Sequence, residues 1–66
     1  MTRAQLQTLN TEELYALANG FRKAFVVAYE EKDLIVGQYA QDALEIVQDI
    51  IFERQIDDLN KLQGAN

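Results

Sequence analysis

Four carboxylates form the one polar set in this sequence whose spacing suggests chemistry: Asp42, Glu45, Asp49 and Glu53, three and four residues apart. On a helix that spacing places them along a single face. Such a row could coordinate a hard cation such as Ca²⁺ or Mg²⁺ through oxygen. It could also imitate a run of phosphates and occupy a nucleic-acid-binding protein. Its plainest reading is a solvated face lying opposite an apolar one.

Other chemistries are excluded by composition. No His, Cys, Ser or Trp occurs. Ser–His and Cys–His nucleophiles, imidazole acid–base catalysis and thiolate or imidazole metal sites therefore cannot be built. Di-iron carboxylate bundles need Glu-x-x-His and fail on the same ground. The aliphatic hydroxyls are Thr2, Thr8 and Thr11, all near the N-terminus. Gly20, Gly37 and Gly64 are isolated, so no glycine-rich phosphate loop exists. A non-enzymatic protein without cofactor or metal is expected.

Two further charged features call for weighing. Arg54 has Asp57 and Asp58 three and four residues on, which suggests a helix ion pair, with a partner-binding anchor as the sharper alternative. Arg22 and Lys23 are adjacent bases on the first helix, suited to solubility or to acids of a second chain. Net charge is −5, and residues 34–66 carry two bases against six acids. That balance disfavours direct binding to nucleic acid or anionic membrane. The start MTRAQLQTLN has no apolar leader, and no apolar run is long enough to span a bilayer. The cytoplasm is the expected compartment.

The elements that must position these groups are helical. Proline is absent, and apolar residues recur with a 3.6-residue period. An N-terminal cap segment, 1–10, opens on Thr2 and Gln5, a capping box stapled by Met1 and Leu6. A first helix, 11–31, starts at Asn10 as N-cap with Glu13 as its partner and a Leu9–Leu14 staple. Its face is Leu14, Leu17, Ala18, Phe21, Ala24, Phe25 and Ala28. That face stays in phase across Asn19-Gly20, so the helix is expected to continue there despite about 1 kcal/mol lost to glycine.

Extending the seam by sevens from Leu14 and Phe21 reaches Asp42 and Asp49, so a turn must intervene. Asp33 is the expected N-cap of a second helix, 34–62, with 63–66 a frayed tail. An antiparallel hairpin then pairs residues whose numbers sum to about 65, such as Leu14 with Ile51 and Ala28 with Gly37. Gly37 lets the helices approach closely. Tyr15, Tyr29, Tyr39, Phe21, Phe25 and Phe52 read as core and core margin.

One all-α hairpin domain leaves too much apolar surface. From Leu34 to Ile51 the arc covers about half the helix, beyond the roughly 100° a surface helix needs. After Ile51 the apolar positions shift to Phe52, Ile56 and Leu59, predicting a kink or a different packing partner. That partner could be the Leu6–Leu9 segment or another chain. Chains this short usually need an added staple, and without cysteine the staple is association. Dimerisation into a four-helix bundle is expected, burying Val26, Val27, Ile35, Tyr39, Ile46, Ile50, Phe52, Ile56 and Leu59. The expected function is a small acidic protein–protein interaction module acting as a regulator, inhibitor or adaptor. The alternatives are a nucleic-acid-mimicking inhibitor presenting Asp42–Glu53, or a structural subunit of a larger assembly.

Overall fold

Three helices account for nearly all of residues 2–64, the part described by the computed structural model: α1 (Arg3–Gln7), α2 (Thr11–Glu30) and α3 (Leu34–Gly64). Local chemistry fixes each start. The Thr2 hydroxyl accepts from the Gln5 amide at 3.2 Å, and the Gln5 side chain accepts from the Thr2 amide at 2.9 Å. At α2 the Asn10 side chain accepts from Glu13 N at 2.8 Å, and Glu13 accepts from Asn10 N at 3.2 Å. At α3 the Asp33 carboxylate accepts from Val36 N at 3.1 Å. Each bond satisfies an amide that the first helical turn leaves without a partner. Of the two expected staples, the one using Met1 lies outside the described residues.

The turn between α2 and α3 is a Schellman motif. Asp33 N donates to Ala28 O at 2.8 Å and Lys32 N donates to Tyr29 O at 3.1 Å. This geometry requires a left-handed residue, and Lys32 supplies it at φ 59°. Glycine is the usual occupant, because a Cβ is penalised there. Asp33 therefore closes one helix with its amide and opens the next with its carboxylate.

The hairpin register is the expected one. Leu14, Ala18, Val47, Ile50 and Ile51 form one buried cluster. Near the turn, a Cβ placed on Gly37 would sit 3.7 Å from the Ala28 Cβ, an ordinary van der Waals contact that shows how closely the helices approach there. Leu6 of α1 joins the cluster at its open end, and Leu9, Leu17, Phe21, Leu44 and Ile46 pack around it. The helix α2 runs unbroken through Asn19-Gly20.

Two expectations meet the structure here. First, α3 runs unbroken past Ile51, as the expected 34–62 span has it, and continues to Gly64, for 31 residues against 20 in α2. The helix α1 packs on α3 beside Ile50 and Ile51, and the shifted positions Phe52, Ile56 and Leu59 stay exposed. Second, Arg54 does not pair with Asp57 or Asp58. Its Nη2 donates to Leu9 O at 2.7 Å and Gln7 O at 3.0 Å, and Nη1 lies 3.4 Å from the Thr11 hydroxyl. It satisfies carbonyls that the short α1 leaves open at its end. Arg3 pairs with Glu53 on the same contact. No described helix is long and apolar enough to cross a membrane.

Candidate interaction surface

The hairpin has two long sides, and they differ. On one, Leu9, Glu13, Ala16, Leu17, Gly20, Phe21 and Ala24 line an open apolar groove along α2. A second depression, lined by Lys23, Ala24, Val27 and Val36 among others, continues it toward the turn. Ala24 belongs to both, so the two form one trough running most of the length of α2. On the other side, Tyr15, Arg22, Gln48, Phe52 and Gln55 line a mixed surface. There Gln55 Nε2 lies 3.4 Å from the Tyr15 hydroxyl.

The expected interface residues divide between these sides. Val27 is 50% exposed in the trough. Ile35 and Tyr39, at 85% and 67% exposed, and the half-buried Ile46 share one edge of α3 within an arc of about 40°. Val26 and Phe52 are also open to solvent, but on the opposite side, followed along α3 by Ile56 and Leu59. Ile50 belongs to neither. It is 2% exposed, held between Leu6, Leu14 and Val47 in the chain's own core. The correction has a clear cause: α1 covers the position that a bare two-helix hairpin would leave open.

The acidic row is exposed and is not uniform. Glu53 is engaged by Arg3, and Asp42 accepts from Gln38 Nε2 at 2.8 Å. Among the described residues no three carboxylates come together closely enough to hold a metal ion. The row therefore remains a helix face rather than a converging site.

No protein-family model, curated protein or solved structure matches this chain. The surface chemistry has to speak for itself. Its leading feature is the trough, walled on one side by Leu17 and Phe21, which also pack against the core as their place on the α2 face predicts. The signal for it in the sequence is the run Ala16, Gly20 and Ala24, one small residue per turn, which lowers the helix surface beside that wall. The Arg54 clamp had no local signal, because its partners lie 43 to 47 residues away.

Proposed function

We propose that this chain is a small acidic, non-enzymatic interaction module that works as a helical-bundle dimer and acts on other proteins as a regulator, inhibitor or adaptor. The observation that carries the reading is surplus surface. The chain exposes 5176 Å², whereas a compact monomer of 7.5 kDa is expected to expose about 4,250 Å². The surplus, roughly 900 Å², is close to the ~800 Å² each partner buries in a standard specific interface. The exposed surface includes large apolar side chains, Val27 beside the trough and Ile35 and Tyr39 along one edge of α3. Association of two hairpins would enclose that surface in a shared core, and two-fold dimers are the commonest closed assembly.

Composition supports the non-enzymatic part of the reading, since the nucleophiles and bases of most hydrolytic and transfer chemistry are missing. Sedimentation equilibrium at micromolar concentration tests the dimer. A mass twice 7.5 kDa supports the reading, and a strictly monomeric species that captures no protein from its native host overturns it.

A further inference from the structure

Six residues lining the trough repeat at heptad spacing: Leu9, Glu13, Ala16, Gly20, Lys23 and Val27, separated by four, three, four, three and four. From Glu13 to Val27 they occupy an arc of about 80° on α2. This is the spacing of a coiled-coil seam: Glu13, Ala16, Gly20, Lys23 and Val27 are exposed along α2, and Leu9, just ahead of the helix, is half-buried against the core at the seam's end. It also reads the same in both directions. Reversing the helix about residue 18 sets Leu9 against Val27, Glu13 against Lys23 and Ala16 against Gly20.

We propose that two copies of this chain dock α2 against α2, antiparallel and two-fold symmetric, through this seam. The pairing rests on the dimeric reading above and specifies which face and register it uses. In it an apolar residue meets an apolar one, an acid meets a base, and the two smallest residues meet at the centre. Each pair occurs twice, as a two-fold interface requires.

Three observations favour a second copy over another occupant. The charges match only under this reversal. Lys23 makes no ion pair within its own chain among the described residues, and Glu13 uses one carboxylate oxygen for the Asn10 cap, leaving the other available. The surplus of exposed area is of the size that each partner buries in a standard specific interface. Finally, Gly20 has no role inside the chain: a Cβ there would meet nothing within 4 Å. Mid-helix glycine nonetheless weakens a helix by about 1 kcal/mol relative to alanine. Opposite the partner's Ala16 it allows the two backbones to approach closely. The α3 edges carrying Tyr39 and Ile46 then flank the central pair and complete four helices.

Charge exchange tests the register. Lys23→Glu alone places acid against acid, and Glu13→Lys alone places base against base. Each variant should self-associate at least about tenfold more weakly than the parent, as like charges across an interface do. Mixed in equal amounts, the two should form a heterodimer of near-parental affinity, followed by sedimentation velocity with one component labelled. Gly20→Leu should abolish dimerisation while circular dichroism shows undiminished helix. A dimer that tolerates Gly20→Leu, or variants that do not recover on mixing, overturns this interface and leaves the dimeric reading standing. A monomeric parent overturns both.

Discussion

The guanidinium of Arg54 lies 2.7 Å from the carbonyl oxygen of Leu9, 45 residues earlier in the chain. With its second bond to Gln7 O, this contact fastens α1 and the following link to the far part of α3. The clamp keeps Leu6 over Ile50 and Ile51, completing a core that α2 and α3 leave open at one end.

Arg54→Ala should therefore loosen α1 as a unit. Hydrogen bonds from a charged group are worth about 1.5–3 kcal/mol, less where water reaches them, so a loss of about 1–2 kcal/mol is expected in urea unfolding. Arg54→Lys should recover part of this loss, because a single nitrogen, Nη2, bonds both carbonyls and an ammonium also carries several donors, while the Nη1 approach to Thr11 is lost. Amide exchange at Leu6 and Leu9 should accelerate in both variants more than exchange at Val47.

The turn offers the opposite outcome. Lys32 holds φ 59°, a conformation in which a side chain is penalised and glycine is not. Lys32→Gly should stabilise the protein by about 1 kcal/mol, raising the melting temperature by about 4–8 °C for a domain of this size. A lowered melting temperature would contradict the left-handed turn.

Gly37 separates size from flexibility. Alanine fits, since its Cβ would meet Ala28 Cβ at 3.7 Å, and it is the better helix former. Gly37→Ala should be neutral or stabilising by up to about 1 kcal/mol. Gly37→Leu must push α2 and α3 apart, at a cost of about 1–3 kcal/mol. Thermal unfolding of the two variants side by side reads the difference.

Ile50 and Ile35 share a residue type and not a setting. Ile50→Ala should cost about 2–5 kcal/mol, because it opens a cavity between Leu6, Leu14 and Val47. Ile35→Ala, at a residue 85% exposed, should stay within about 0.5 kcal/mol in the monomer. Equal losses at the two positions would mean that Ile50 is not a core residue of the single chain.

Most of the fold was legible because it is encoded locally. Capping at Thr2, Asn10 and Asp33, the continuity of α2 through Gly20 and the Ala28–Gly37 approach all follow from residues within a few turns of one another. The misread parts are those decided at long range. Nothing near Ile50 in sequence shows that Leu6 covers it, so its pattern points to an interface. The helix neighbours Asp57 and Asp58 of Arg54 are visible in sequence, and the carbonyls of Gln7 and Leu9 are not. The interaction surface was legible as a deficit of partners, while its location emerged only once Leu9, Gly20 and Val27 stood along one trough.

The clamp also sets an order of events during synthesis. Leu6 leaves the ribosome well before Arg54, and at about 5–20 residues per second the intervening stretch takes about 2–10 s to make. A helical turn forms in about a microsecond or less. The α1 segment is thus ready seconds before its docking site exists, and its leucines stay uncovered throughout that interval.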